Sequence, residues 1–292
     1  MAFPTETVYG LGADATNERA VAAIFATKQR PRFNPLIVHV ADIEHAHRLV
    51  EFHAGAAALA ERFWPGPLTL VLPRRANQHV SLLASAGLET IAIRVPSHAV
   101  AQALLKDCNL PIVAPSANPS GQVSPTTAIH VASDLADKVE LILNGGPVTI
   151  GIESTVVGFE KGSPVLLRAG ALSRARIESV VGPLSAPIAP SITAPGQLKQ
   201  HYAPKTALRL EAREVAPDEA LLAFGPQPLA GAQIMRNLSV QGNLEEAAAN
   251  LFAMLRELDA SEATAIAVMA VPGDGLGEAI NDRLQRAAAR DE

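Results

Sequence analysis

Apolar positions along this chain of 292 residues recur with two different periods. After Asn17, the residues Val21, Ile24 and Phe25 return at helical spacing, with Lys28 on the same side. Asn17 has the side chain to cap that helix, and Pro31 the ring to stop it. Residues 36–40 then form a β-type run, Leu-Ile-Val-His-Val, in which alternation turns His39 away from Leu36, Val38 and Val40. Residues 43–52 and 56–63 read as helices, and Pro65-Gly66-Pro67 forces a turn. Strands are predicted at 68–72, 91–95, 111–114, 141–143, 154–159 and 165–168, with helices at 98–106, at 126–135 and from Ser173 to about Val180. Alternation of this kind predicts an α/β domain, a sheet flanked by helices.

Pro183, Pro187, Pro190, Pro195 and Gly196 interrupt the pattern, as in a semi-extended linker. Beyond it, strands at 207–210, 220–224 and 265–271 and helices at 244–258 and 276–289 predict a smaller α/β domain. The expected division is 1–183, a linker at 184–206, and 207–292.

Composition narrows the function. Aromatic residues make up only 4% of the chain, too few for the stacking platforms that bind single-stranded RNA. The net charge of −5 lies wholly beyond residue 183, because residues 1–183 carry fifteen basic and fifteen acidic side chains. Neither part has a global basic field for nucleic acid, and strong direct tRNA binding is not expected. Cys108 is the single cysteine, so no intrachain disulfide forms. The sequence has neither a signal peptide nor a run of membrane length, which predicts a cytoplasmic protein.

Familiar catalytic patterns are mostly missing. There is no phosphate-binding P-loop and no nucleophile elbow, and Gly10-Leu11-Gly12 is an imperfect dinucleotide fingerprint. Three clusters remain. Lys28 and Arg30, with Asn34, sit on a turn stiffened by Pro31 and Pro35, the kind of fixed cation pair a polyphosphate needs; the same cations also suit a helix C-terminus. Ser116 and Asn118 follow a buried strand, and in an extended stretch both would aim at one ligand; an ordinary turn has the same composition. Ser154 and Thr155 open a strand and Arg168 closes the next. Arg94, inside an apolar strand, needs an anionic partner from either a ligand or the protein.

Taken together, Phe3-Pro4-Thr5-Glu6-Thr7-Val8-Tyr9-Gly10, Lys28-Gln29-Arg30-Pro31 with Asn34-Pro35-Leu36, Pro115-Ser116-Ala117-Asn118, Glu153-Ser154-Thr155 and the stretch from Pro195 through His201, Tyr202 and Ala203 to Pro204 resemble the YrdC/Sua5 family. The resemblance implies a twisted YrdC-like α/β domain with a concave cavity, followed by a small Rossmann-like Sua5 domain. It implies synthesis of L-threonylcarbamoyl-AMP from L-threonine, bicarbonate and ATP, with Mg2+ carried on the ATP phosphates. The product would pass to a tRNA threonylcarbamoyl transferase. Thr7, His39, Arg94, the Ala114 backbone and Ser154 would hold threonine. Arg30, Asn34, Thr90, Ser116, Ser124, Arg168 and Tyr202 would meet ATP. Lys28, Arg30, Ser116 and Asn118 would surround the reacting phosphate. Family members carry a helix and most of a strand ahead of the first motif, so the resemblance implies either a misassigned start or a truncated form with a weakened sheet edge. Arg168-Ala169-Gly170 also departs from the family's usual Arg-Pro-Gly. Two other functions stay open: an RNA-binding module, and a carbamoyl transferase with a different acceptor.

Overall fold

The computed structural model describes residues 1–187, Ala194, Gly196 and residues 201–289. The remainder of the expected linker, with Pro190, Pro195 and Gln197 to Gln200, lies outside the described residues.

In chain order the first unit contains β1 (Ala2–Pro4), β2 (Tyr9–Leu11), β3 (Ala13–Asp14), α1 (Glu18–Lys28), β4 (Ile37–His39), α2 (Ile43–Leu49), α3 (Ala54–Phe63), β5 (Leu68–Pro73), β6 (Thr90–Arg94), α4 (Ala99–Cys108), β7 (Ile112–Val113), α5 (Ala128–Leu135), β8 (Thr155–Glu160), β9 (Ser163–Arg168) and α6 (Arg174–Val181). The second contains β10 (Ala207–Arg209), β11 (Glu219–Ala223), β12 (Met235–Asn237), α7 (Leu244–Asp259), β13 (Ala265–Val268) and α8 (Gly277–Ala288).

Seven strands form the larger sheet in the order β3-β7-β4-β6-β5-β8-β9, with parallel pairing only for β4 with β6 and β5 with β8. At its edge β3 is two residues long, and β1 pairs with β2 in a separate ribbon. The smaller sheet is parallel throughout, in the order β10-β13-β11-β12, as expected of a Rossmann-like unit.

Period-two alternation divides the large sheet into two faces with different jobs. Leu36, Val38 and Val40 join Leu68, Leu70, Leu72, Ile91, Ile93 and Val157 in a core that takes Val21, Ile24 and Phe25 from α1 and Leu59 from α3. The opposite face carries Ile37, Val71, Ala92 and Val156, covered by Ala194. His39, Arg94, Thr69 and Ser154 stand at one end of that second face. A second core gathers Leu251, Phe252 and Leu255 of α7 with Ile280 and Leu284 of α8, and takes in Tyr202 together with Val8, Val123 and Ile152 of the first unit.

Local chemistry sets α1 as expected at one end and differently at the other. Asn17 accepts hydrogen bonds from the Arg19 and Ala20 amides, and Val21, Ile24, Phe25 and Lys28 are its buried side. Gln29, not Pro31, ends the helix by adopting a left-handed conformation (φ 53°). Residues 141–143 form no strand; Ile142 makes a single bridge to Ala2, and Leu141 is half exposed. No helix among the described residues is long and apolar enough to cross a membrane.

Candidate functional site

The loop between β1 and β2 is folded by Thr5. Its hydroxyl donates to the Val8 carbonyl (2.6 Å) and accepts from the Thr7 and Val8 amides. That turn presents Thr7 and Glu6 to Arg94 at the end of β6. Arg94 Nη1 donates to Thr7 Oγ1 (2.9 Å), Nε donates to the Gly66 carbonyl (3.3 Å), and Nη2 lies 2.7 Å from Glu6 Oε1. The protein therefore supplies the anion that a buried strand arginine requires, and Glu6 is held below the usual carboxylate range by Arg94 against the opposing effect of burial.

His39 stands beside this group, 2% exposed, with Nδ1 lacking a hydrogen-bond partner among the described residues. Burial, reinforced by Arg94, pushes its pKa down to about 3, so the ring is neutral.

Arg30 arrives from the turn made by Gln29. Its Nε donates to the Asn34 carbonyl (3.1 Å) and its Nη2 to the Pro35 carbonyl (2.8 Å), which fixes the guanidinium against its own loop. Burial and the neighbouring Arg168 lower its pKa to about 9. Arg168, ending β9, forks onto the carbonyl of Ser154 through Nε (3.2 Å) and Nη2 (2.8 Å), and Nη2 also donates to Ser154 Oγ (3.1 Å). The Ser154 and Thr69 hydroxyls are 2.8 Å apart.

One cavity joins these groups. Thr5, Thr7, Arg30, His39, Arg94, Ala114, Ser116, Glu153, Ser154 and Arg168 line it, together with Gly196, His201 and Tyr202 from the chain beyond the first unit. Nine of the residues singled out from sequence thus share one space: Thr7, Arg30, His39, Arg94, Ala114, Ser116, Ser154, Arg168 and Tyr202.

Five lie off that wall. Lys28 is buried behind it, donating to the carbonyls of Ser116 (2.5 Å) and Asn118, so it braces the loop and does not face the cavity. Asn118 does not continue the extended direction of Ser116. Its amide N–H turns back to the Ser116 carbonyl (3.0 Å) and its side chain donates to the Gln122 carbonyl (2.8 Å). Ser124 sits behind Glu153, donating to Oε1 (2.6 Å). Thr90 pairs with Pro73 at the opposite end of β6 from Arg94, roughly 13 Å away at strand spacing. Asn34 is fully buried, and both side-chain polar atoms lack hydrogen-bond partners among the described residues.

Sequence reasoning gave no site role to Glu6, Glu153 or His201. Glu6 and Glu153 lay inside the quoted motifs, and the need of Arg94 for an anion was the signal for Glu6. Burial and the surrounding cations Arg30, Lys28, Arg168 and Arg283 drive the His201 pKa well down.

Cations outnumber carboxylates here, and both cavity carboxylates are already ion-paired, Glu6 with Arg94 and Glu153 with Arg283. The fold and site define a two-unit α/β protein whose larger sheet carries a cavity lined by Arg30, Arg94 and Arg168 with Glu6 and Glu153. The family model described as "Telomere recombination" (Sua5/YciO/YrdC) matches residues 1–170, and that described as "Threonylcarbamoyl-AMP synthase, C-terminal domain" matches residues 172–289. Threonylcarbamoyl-AMP synthases from Pyrococcus abyssi and Bacillus subtilis are 40% and 41% identical, each over 99% of this chain and over 90% and 89% of the relative. The crystal structure of Pyrococcus abyssi Sua5 complexed with L-threonine matches with a TM-score of 0.90 at 39% identity, over 98% of this chain and 89% of that one. The chain belongs to the two-domain, Sua5-type threonylcarbamoyl-AMP synthase family.

Proposed function

We propose that this chain makes L-threonylcarbamoyl-AMP from L-threonine, bicarbonate and ATP in the cytoplasm, releasing pyrophosphate, and that a tRNA threonylcarbamoyl transferase consumes the product. The observation that carries the reading is the buried cation pair. Arg30 and Arg168 face one cavity, and burial first, then the repulsion between them, depresses Arg30. A polyphosphate relieves that repulsion, and its burial there is favourable for the same reason.

In this reading threonine sits at the Arg94 end. Its carboxylate takes the outward hydrogens of Arg94, since each Nη nitrogen spends one on Thr7 or Glu6. Neutral His39 has Nδ1 open to a ligand hydroxyl, and Thr7, Ser154 and the Ala114 backbone complete a pocket of small polar groups. Bicarbonate gives CO2 by losing its hydroxyl, and the free amine adds to that carbon; the amine proton leaves with the hydroxyl as water, and a carbamate remains. A carbamate oxygen then attacks the α-phosphorus, the bond to the bridging oxygen breaks, and pyrophosphate leaves. Such a step needs alignment and fixed positive charge more than a general base. Arg30, Arg168 and the Ser116 hydroxyl supply these, and the clamp of Lys28 on the Ser116–Asn118 loop keeps them from relaxing. Tyr202 and His201 keep water from the mixed anhydride.

Mg2+ belongs to the substrate in this scheme. Both cavity carboxylates are ion-paired, and no group of three His, Cys, Asp or Glu side chains that could hold a metal ion occurs among the described residues. The ion is therefore expected on the phosphate oxygens of Mg·ATP.

The test is pyrophosphate release with each substrate omitted in turn. Release that requires threonine, bicarbonate and ATP together supports the proposal. Release independent of threonine, or dependent on another amine, rejects it.

A further inference from the structure

Thr69 lies near the start of β5, fully buried, and is not part of the cavity wall. Its Oγ1 is 2.8 Å from Ser154 Oγ, and among the described residues the Thr69 hydroxyl has no other hydrogen-bond partner. Ser154 immediately precedes β8 and does line the cavity. Its Oγ also meets Arg168 Nη2 at 3.1 Å.

Counting protons decides which way these hydroxyls point. A hydroxyl has one proton to give and two lone pairs to receive with. A guanidinium only donates, so Arg168 fills one lone pair of Ser154 Oγ. The contact between Thr69 and Ser154 holds a single proton, given by one partner or the other. If Ser154 gave it, the Thr69 proton would be buried with no acceptor, and an orphaned buried donor is costly. If Thr69 gives it, the proton left over belongs to Ser154. That proton has the cavity to turn into, where a ligand or water accepts it. The second arrangement therefore wins.

We infer that Thr69 is a positioning residue that sets the Ser154 hydroxyl as a hydrogen-bond donor into the cavity. With both lone pairs filled, by Arg168 and by Thr69, Ser154 offers a proton and cannot accept one. It therefore takes an acceptor oxygen of the amino-acid substrate and not its amine, which stays free to react. The hydroxyl is oriented before the substrate arrives, so binding does not have to order it. Thr69 itself touches no ligand and acts only through Ser154.

This inference rests on the threonine-binding reading above, and its test separates the two. Wild-type pyrophosphate release that does not depend on threonine fails that reading, and this inference with it. With threonine dependence in place, Thr69→Val removes the hydroxyl at nearly constant shape. The KM for threonine should then rise about fivefold or more while the KM for ATP stays within about twofold. Thr69→Ser keeps a hydroxyl and should remain within about threefold of wild type. Adding Thr69→Val to Ser154→Ala should change the KM for threonine by less than about twofold, because Thr69 then has nothing left to orient. Thr69→Ala removes the same hydroxyl and takes the place of Thr69→Val if circular dichroism shows that variant unfolded. An unchanged KM for threonine in the folded variant without the hydroxyl overturns the inference. So does a rise of equal size in both KM values, or an effect that persists in full on Ser154→Ala, since packing alone gives those results.

Discussion

The Arg94 guanidinium lies 2.7 Å from the Glu6 carboxylate, and the two side chains are only 4% and 7% exposed. Arg94 reaches the cavity with its charge already balanced, whereas Arg30 meets backbone carbonyls and the like charge of Arg168. The two ends of the cavity therefore differ: one holds a compensated ion pair, where the proposed function puts threonine, and the other holds two neighbouring arginines, where it puts the phosphates.

Removing one partner of the compensated pair leaves a buried charge alone. Glu6→Gln is expected to destabilise the fold by about 3 kcal/mol, read from urea denaturation. Glu6 is depressed in the folded state, so its contribution is present above the unfolded carboxylate range and is lost as pH falls through the folded value. An unchanged midpoint at neutral pH would contradict this.

Arg30→Ala is expected to lower pyrophosphate release at least tenfold, about 1.4 kcal/mol of barrier. Stability should change little or improve, because Arg30 is a depressed cation among cations. Near-normal turnover would count against the nucleotide site.

His39 and His201 are both buried with lowered pKa values, His39 at about 3. The folded chain stays unprotonated at these positions while the unfolded chain takes up protons below about 6.5. Stability should therefore fall as pH drops from about 6.5 toward 3, by roughly 1.4 kcal/mol per pH unit for His39 alone. The His39 ring resonance should show no titration between pH 5 and 8. A midpoint near 6.5 would mean the ring is open to water.

Gly170 sits where a β-carbon would come within 2.5 Å of the Glu153 carbonyl oxygen, the Ser154 carbonyl carbon and the Thr155 amide nitrogen. All three are backbone atoms and cannot swing aside. Gly170→Ala should cost about 1–3 kcal/mol and raise the KM for ATP, because the displaced turn carries both Glu153 and the carbonyl that holds Arg168. Its neighbour Ala169 is half-buried against both cores. Ala169→Pro at wild-type activity with Gly170→Ala inactive would localise the constraint to the glycine.

Much was legible in the sequence. The buried side of α1, the turn of His39 onto the sheet face opposite Leu36, Val38 and Val40, and the two α/β units follow from local periodicity, which depends on nothing beyond backbone geometry. Other features were not legible because they depend on chain segments far apart. Asn118 and Lys28 have the composition of ligand groups, and only the packing of α1 against the Ser116 loop turned them into a brace. Thr90 and Arg94 share a strand, and only the site's location at one end of it separated them. Sequence pattern by itself determined which side chains face the core and which motifs travel together. Tertiary structure alone decided which charges meet: Arg94 with Glu6 across 88 residues, Arg283 with Glu153 across 130. Burial charges are set by three-dimensional neighbours, and sequence spacing carries no trace of those distances.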